Sequence, residues 1–202
     1  KLIDNITHLI NNYNKEILKI KPRITSSEVK ELVNKNPKDI NWSRNLFKSA
    51  SKREKLNFNE KSIRVASYRP FTKTNLYFNK NLNEVQYKVP QIFPEQESKN
   101  LFIGVSGIGA RSGFSCLMSD TLPDLQFLDN GLIFAQFRYA TQTNELSLFE
   151  SHGKSSNISK TILKKFQDSY NSQRLTPEDI FYYVYALLHS NGYQSTFANN
   201  LL

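Results

Sequence analysis

The sequence predicts an α+β fold, with a largely antiparallel central sheet between N-terminal helices and a C-terminal helical hairpin. Three observations lead to this prediction. Apolar residues recur at helical spacing near the start of the chain, they recur again near its end, and short β-rich runs fill the middle. The 202 residues, 39% of them hydrophobic, suffice to bury a core, which argues against global disorder.

The first helix is predicted from an apolar stripe in which successive residues are three or four positions apart. The stripe consists of Ile3, Ile6, Ile10, Tyr13 and Ile17. Pro22 marks the end of the helix. Such a narrow stripe suits a helix that docks on a partner, and it also suits an ordinary surface helix of its own domain. Both interpretations stay open at this point.

Two further helices follow in the N-terminal part. Thr25 and Glu28 form a capping box at the start of one of them. Its apolar side is formed by Val29, Leu32 and Val33. The next helix is basic and turns Trp42, Leu46 and Phe47 inward. Its outward cations are Arg44, Lys48, Lys52, Arg53 and Lys55. A solvated face is the usual meaning of such a run, and a phosphate-contacting face is the sharper hypothesis.

From about Ile63 the pattern becomes that of strands. The predicted strands include "VQYKV", "LFIGVS", "FSCLMS" and "LIFAQFRY". In the last of these, Ile133, Ala135, Phe137 and Tyr139 alternate with the residues between them, and a turn at 129–131 precedes it. We expect residues 140–157, which are polar, to form a loop.

The C-terminal part is predicted to be helical. Asn157 is expected to cap one helix and Thr176 the next, which has Pro177 in its first turn. The buried stripe of this second helix is Ile180, Phe181, Val184, Leu187 and Leu188. Gly192 allows a break, and Tyr193, Phe197 and Leu201 form the stripe of a last helix.

The positive charge is confined to one half of the chain. Residues 1–100 hold 20 Lys and Arg against 10 Asp and Glu, a net charge of +10, whereas residues 101–202 hold 7 against 8, a net charge of −1. A localised excess favours an anionic partner, with nucleic acid first. Lysine is also a common solubilising residue, so charge alone leaves both explanations open.

No catalytic set emerges from the sequence. The glycines at 104, 107, 109 and 113 match neither a dinucleotide fingerprint nor a P-loop, and they predict a hairpin loop instead. The three histidines lack metal-ligand spacing. Cys116, the single cysteine, excludes an internal disulfide, is expected to be buried and inert, and fits a reducing cytoplasm. No apolar run approaches the roughly 18 residues that span a bilayer, so we expect no membrane contact.

The order of several segments resembles the C-terminal region of the single-chain Type ISP restriction–modification enzymes. These segments are "INWSRNL", "IRVASYRPFTKTNLYF", the glycine hairpin, "SDTLPDLQFL", "NISKTILKKF" and "LTPEDIFYYVYALLHSNGYQSTFANNLL". The most specific pieces are "YRPFTKTNLYF" and "EDIFYYVYALLHS". The resemblance runs from about Ile40 to Leu202, and "LIFAQFRYA" departs from the family's usual Cys-Phe-Pro-Leu-Tyr-like run.

The resemblance implies that residues 1–39 are a helical connector from a preceding methyltransferase and that residues 40–202 are a DNA target-recognition domain. The family continues past its final helix, so the domain is expected to extend beyond Leu202. The parent chain would be a restriction endonuclease and adenine-specific methyltransferase that uses S-adenosylmethionine, ATP and Mg²⁺. This segment lacks the methyltransferase, Walker and nuclease motifs, so we expect it to bind no cofactor and to catalyse no reaction.

The expected partners are double-stranded DNA and the methyltransferase domain of the same polypeptide, in the cytoplasm. Cations would bind phosphates and loops would read base edges, where Arg suits guanine and Asn or Gln suits adenine. The predicted DNA-binding residues are Arg44, Lys48, Lys52, Arg53, Arg64, Lys73, Arg111, Arg138, Gln142 and Asn144. Tyr68, Pro70, Phe71, Leu76 and Phe78 are interpreted mainly as packing residues, and Arg69 as a structural ion-pair or hydrogen-bond residue.

Two rival functions stay open. One is a small-molecule enzyme that uses the glycine loop. The other is a protein-interaction scaffold that docks through the stripe from Ile3 to Ile17. RNA binding is less favoured, since no base-stacking sheet motif is present.

Overall fold

A computed structural model of the chain describes residues 1–139 and 153–201. The chain consists of two compact units, one made of Lys1–Arg64 and Asn75–Tyr87, the other of Val65–Thr74 and Lys88–Leu202. Helices and small, mostly antiparallel sheets are both present, so the predicted α+β class is confirmed. The separate prediction of a connector over residues 1–39 stays a prediction.

Unit 1 is mainly helical. Its elements are α1 (Leu2–Leu18), α2 (Ser26–Leu32), α3 (Arg44–Ser51) and a 3-10 turn (Glu60–Ser62). The boundary with unit 2 falls within β1 (Ile63–Ser67) and β2 (Lys73–Tyr77).

The apolar stripe of α1 belongs to the core of unit 1. Ile10, Tyr13 and Ile17 are buried there together with Val29 and Leu46. The Tyr13 hydroxyl donates to the carbonyl of Glu54 at 3.0 Å, and burial raises the pKa of this phenol well above its usual value. Apart from Ile3, which is 47% exposed, the stripe therefore packs within its own unit, which favours the ordinary surface helix over the docking helix.

The predicted capping box of α2 is confirmed, because Thr25 Oγ1 accepts from the Glu28 amide and the Glu28 carboxylate accepts from the Thr25 amide. Leu32, predicted to be inward, is instead 57% exposed. The basic helix is shorter than predicted. It ends at Ser51, and Arg53 follows with a positive φ of 56°.

Unit 2 carries most of the strands and the C-terminal helices. In chain order its elements are α4 (Val89–Ile92), β3 (Phe102–Val105), β4 (Cys116–Ser119), β5 (Leu122–Pro123), β6 (Leu132–Ala135), β7 (Phe137–Tyr139), β8 (Lys154–Ser156), α5 (Lys160–Ser169), α6 (Pro177–Leu188), α7 (Asn191–Thr196) and a 3-10 turn (Ala198–Asn200).

Three small sheets are formed by the described residues. One has the order β4-β3-β6 and is antiparallel throughout, so that Phe102 pairs with Ser119 on one side and with Ala135 on the other. In the second, β2-β1-β5, strands β1 and β5 are parallel and Ala66 pairs with Leu122. The third is the antiparallel pair β7–β8.

The core of unit 2 is built around β3. Phe102 is fully buried, and the ring of Phe127 meets it edge-on with the ring centroids 5.1 Å apart. Ile103, Cys116 and Phe181 form a neighbouring buried cluster. The predicted burial of Cys116 is confirmed, and burial raises the pKa of its thiol to about 11, in agreement with an inert cysteine.

Two strand predictions were wrong. "VQYKV" forms no strand, because Val89 begins α4 and Pro90 follows in its first turn without an amide to donate to a ladder. The predicted strand 132–139 is broken at Gln136, which is buried. The Gln136 amide donates to the carbonyl of Leu101 at 2.8 Å, and its carbonyl accepts from the Asn157 amide at 2.9 Å.

At the helical end one of the two predicted caps is confirmed and the predicted break is displaced. Thr176 and Asp179 form a capping box, whereas the N-cap of α5 is Ser159 and not Asn157. Gly192 lies inside α7, and the break precedes it at Ser190, whose hydroxyl caps α7. Val184, predicted to be buried, is 37% exposed. Within the described part of the chain, no helix is long and apolar enough to cross a membrane.

Candidate nucleic-acid interface

The excess of positive charge belongs to unit 1. Its two segments hold 16 Lys and Arg against 8 Asp and Glu, a net charge of +8, and unit 2 holds 11 against 10, a net charge of +1. A single compact unit of 77 residues thus carries nearly all of the net charge of +9. A field concentrated in this way attracts polyanions.

Within unit 1, cations are densest in residues 44–55, here called the α3 basic segment. Arg44 and Lys48 are exposed and lie one turn apart on α3, so they share a face. Lys52 and Arg53 follow directly after the helix and are also exposed, as is Lys55. The structure thus brings four predicted residues into one short segment and leaves all four of their side chains exposed: Arg44, Lys48, Lys52 and Arg53.

The cations of the α3 basic segment differ in their partners. Arg44 Nε lies 2.6 Å from Glu84 Oε1, and this hydrogen bond lowers the pKa of the Glu84 carboxyl. Lys52 Nζ lies 3.6 Å from the Glu54 carboxylate. Among the described residues, Lys48, Arg53 and Lys55 have no acidic side chain within 4.0 Å. These three retain uncompensated charge for a polyanion.

Arg64 differs from the other predicted cations because it is only 9% exposed. Its Nε donates to the carbonyl of Lys61 at 3.2 Å. Packing of this kind favours a structural role for the guanidinium.

The turn between β1 and β2, residues 68–72, was interpreted mainly as packing, and for its two aromatic residues this was wrong. Phe71 is 89% exposed and Tyr68 is 56% exposed. Leu76 and Phe78, which were also assigned to packing, are half-buried. Pro70 in the turn is the one local signal that could have indicated a projecting tip.

Arg69 and Lys73 flank the tip of this turn. Arg69 has a φ of 71°, and its guanidinium lies 5.7 Å from the centre of the Tyr68 ring. Arg69 has no carboxylate partner among the described residues, so the structure does not show the ion pair that was one of its two predicted structural roles. Lys73, a predicted phosphate contact, lies 3.3 Å from the Asp120 carboxylate, with both side chains more than half exposed.

The glycine-rich segment 106–115, here called the Arg111 loop, joins β3 and β4 in an antiparallel hairpin, as predicted. Ile108 at its tip is 91% exposed, and Arg111 is exposed as well. Gly109 and Gly113 have φ values of 78° and 72°, which favour glycine. The loop therefore presents one apolar and one cationic side chain to solvent.

The base of the Arg111 loop is fixed by Asp129. The Asp129 carbonyl accepts from the Gly107 amide at 3.0 Å, and its carboxylate accepts from the Arg111 amide at 2.7 Å. A Cβ atom at Gly107 would lie 1.8 Å from the carbonyl oxygen of Asn130, so only glycine fits there. Sequence reasoning identified the turn at 129–131 but missed its role in holding the loop.

The remaining predicted base readers lie at or beyond β7. Arg138 is exposed on β7 and pairs with Ser155 of β8. Gln142 and Asn144 lie outside the described residues. No cluster of three or more His, Cys, Asp or Glu that could hold a metal ion occurs within residues 1–139 and 153–201.

The sequence model of one protein family, described as the Type ISP C-terminal specificity domain, matches residues 1–202. The chain belongs to this family. A search of curated proteins finds no match to it.

Solved structures of Type ISP and related proteins have the same fold as this specificity domain. The cryo-EM structure of a DrdV–DNA complex matches 98% of this chain and 18% of its own, with 32% identity and a TM-score of 0.81. A nuclease-deletion mutant of the Type ISP restriction–modification enzyme LlaGI, in complex with a DNA substrate mimic, matches 98% of this chain and 17% of its own, with 35% identity and a TM-score of 0.78.

A third structure, the ATP-dependent Type ISP restriction–modification enzyme LlaBIII bound to DNA, matches 98% of this chain and 12% of its own. It is 28% identical to this chain, with a TM-score of 0.75. The chain thus spans less than one fifth of the length of these three proteins.

Proposed function

We propose that this chain reads the DNA target sequence for a Type ISP restriction–modification enzyme. The observation that carries the proposal is membership of the specificity-domain family over residues 1–202. Similarity to DrdV and LlaGI, whose structures are DNA complexes, at 32% and 35% identity over 98% of the chain supports it.

Unit 1 is assigned the sequence-independent part of DNA binding. Its net charge of +8 matches the phosphate backbone, and Lys48, Arg53 and Lys55 carry no ion pair within the described residues. Each phosphate contact releases condensed counterions, which gives affinity without information about the bases. Arg44 and Lys52 can exchange their carboxylate partners for phosphate, whereas the buried Arg64 contributes through the fold.

Unit 2 is assigned the reading of bases. The Arg111 loop carries an exposed guanidinium on a backbone that Asp129 fixes, and an Arg side chain on such a backbone suits O6 and N7 of guanine in the major groove. Arg138, with Gln142 and Asn144, is proposed as a second reading element. Lys73 adds a phosphate contact when the Asp120 carboxylate gives way.

The larger enzyme is proposed to supply the chemistry. The chain would present one adenine to the methyltransferase of the same polypeptide, and unmethylated DNA would be licensed for cleavage. S-adenosylmethionine, ATP and Mg²⁺ would act in those other domains, and this segment would bind the duplex without catalysing a reaction. We place this activity in the cytoplasm, where a lone cysteine stays reduced.

Selection from a randomised duplex pool, followed by sequencing, tests the proposal. The 202-residue chain is expected to enrich one target. Arg111→Ala is expected to lose discrimination at one base pair by about 1–3 kcal/mol while it retains non-specific binding. Arg174→Ala, which removes an exposed cation of unit 2 outside the proposed interface, is the matched control and should enrich the wild-type target. A wild-type pool without enrichment contradicts the proposal.

A further inference from the structure

The most exposed aromatic side chain among the described residues lies at the β1–β2 turn. Phe71 is 89% exposed, and Tyr68 across the same turn is 56% exposed. A ring of this size normally contributes to a core, and here neither contributes to one. An aromatic pair held in water by a short turn indicates a contact with something other than the chain's own core.

The turn is narrow and firmly rooted. The Tyr68 amide donates to the carbonyl of Thr72 at 2.7 Å, which closes the turn around Arg69, Pro70 and Phe71. Below it, Ala66 and Ser67 are buried and pair with β5, and the Ser67 hydroxyl lies 2.5 Å from that of Thr121. The tip thus projects from a fixed base.

The backbone of the tip is held in an unfavourable conformation. Arg69 has a φ of 71°, a region that residues with a Cβ atom rarely adopt. Such backbone strain is retained where surrounding structure over-determines it, and it is found at sites of contact with ligands. Here it lets the Arg69 guanidinium lie 5.7 Å from the Tyr68 ring, while Phe71 stays free.

The tip combines an apolar ring, a proline and a cation, and a DNA duplex offers partners for all three: stacked bases for the apolar groups and phosphates for the cation. Proteins that kink DNA insert Phe, Leu or Pro between base pairs and partly unstack them. Base faces are apolar, and phosphates lie within reach on either side of them. An apolar surface of another protein domain would match Phe71 but would leave the Arg69 charge without a partner.

We propose that Phe71 is a wedge that inserts between two adjacent base pairs of the bound duplex, with Arg69 on the neighbouring phosphate. This inference rests on the proposed function, since it needs a bound duplex. The proposal adds a third kind of DNA contact: besides the phosphate contacts and the base-reading residues described above, the β1–β2 turn would bind a step between two base pairs. The wedge bends the duplex and marks the position at which a base is released from the stack.

Energy transfer between dyes at the two ends of the enriched duplex measures the bend. Wild-type chain is expected to shorten the end-to-end distance, as a wedge that kinks DNA by roughly 20–90° does. Phe71→Ala is expected to bind about tenfold more weakly and to leave the duplex straight at saturating protein.

Phe71→Leu keeps an apolar wedge and should retain the bend. Tyr87→Ala, which removes another exposed aromatic residue, should change neither quantity.

The outcomes separate the wedge from the proposed function. A wild-type chain that binds no duplex overturns both. Binding with an equal bend, or with no bend, in wild type and Phe71→Ala overturns the wedge alone, and it points to contact of the tip with another domain. Thermal melting of Phe71→Ala should match wild type. A large loss of stability would also count against the wedge, because a side chain that supports the fold is not free to insert.

Discussion

Single residues decide whether the Arg111 loop keeps its shape. Gly107 lies where the loop meets the turn at Asn130, and its amide donates to the Asp129 carbonyl. A side chain at this position meets backbone, which cannot rotate away as the end of a flexible side chain can. The loop therefore depends on one glycine for space and on two others for their positive φ.

Gly107→Ala is expected to lower the free energy of unfolding by about 2–3 kcal/mol, as overpacking of a well-packed site does. Gly192→Ala is the matched control. Gly192 lies within α7 and its added Cβ would only reach Ser190 Oγ at 3.8 Å, so this change should stabilise the chain by about 0.5–1 kcal/mol. Urea unfolding measures both, and a Gly107→Ala variant as stable as wild type contradicts the close packing.

At the scale of single residues, the sequence identified the candidate cations but not their partners. Arg44 and Glu84 are 40 positions apart, and Lys73 and Asp120 are 47 apart, so neither ion pair leaves a local pattern. The exposure of Phe71 was missed because hydrophobicity predicts burial, and the exception is visible only in three dimensions.

At the scale of elements, several local signals predicted the structure, although the cap at Asn157 and the break at Gly192 were wrong, and contacts distant in sequence were not predicted. The capping box at Thr25 depends on residues three positions apart and was predicted, whereas at Thr176 the cap was predicted and its box with Asp179 was not. The break at Gln136 depends on backbone contacts with Leu101 and Asn157, which no sequence window contains. Strand boundaries near such contacts could not be predicted from alternation.

Both capping boxes make the folding stability of the chain depend on pH in the acidic range. The Thr25 amide and hydroxyl hold the pKa of Glu28 below its usual value, and the Thr176 hydroxyl and amide do the same for Asp179. Folded pKa values that lie below the unfolded ones add stability that is complete above the unfolded pKa and is lost as the pH falls through the folded pKa. Stability should therefore fall on acidification into this range.

Thr176→Val is expected to raise the Asp179 pKa toward its usual value and to reduce the acid-dependent part of stability. Thr176→Ser keeps the hydroxyl and should leave the Asp179 pKa low. Carboxyl titration by NMR measures the pKa, and melting temperature against pH measures its effect on stability. Titration of Asp179 in the wild-type chain at or above its usual value would contradict the capping box.

At the scale of the whole molecule, the division into units gives the charge pattern a physical meaning. The sequence places the excess of positive charge in the first 100 residues. The fold assigns that excess to unit 1, which includes Asn75–Tyr87 and omits Val65–Thr74. Unit 2 has a net charge of only +1, and it carries the β1–β2 turn and the Arg111 loop. Affinity from unit 1 and specificity from unit 2 is the central claim about this domain.

Salt dependence of DNA affinity tests this claim most directly. Binding of the 202-residue chain to a duplex would be measured from about 50 to about 200 mM salt, with Lys48, Arg53 and Lys55 replaced together by Gln. The slope of log K against log salt is negative, and its magnitude should fall by about 3, since each lost phosphate contact removes about 0.9. Replacement of Lys160, Lys165 and Arg174 of unit 2 by Gln should leave the slope unchanged. An unchanged slope in the first variant, or an equal fall in the second, would contradict the claim.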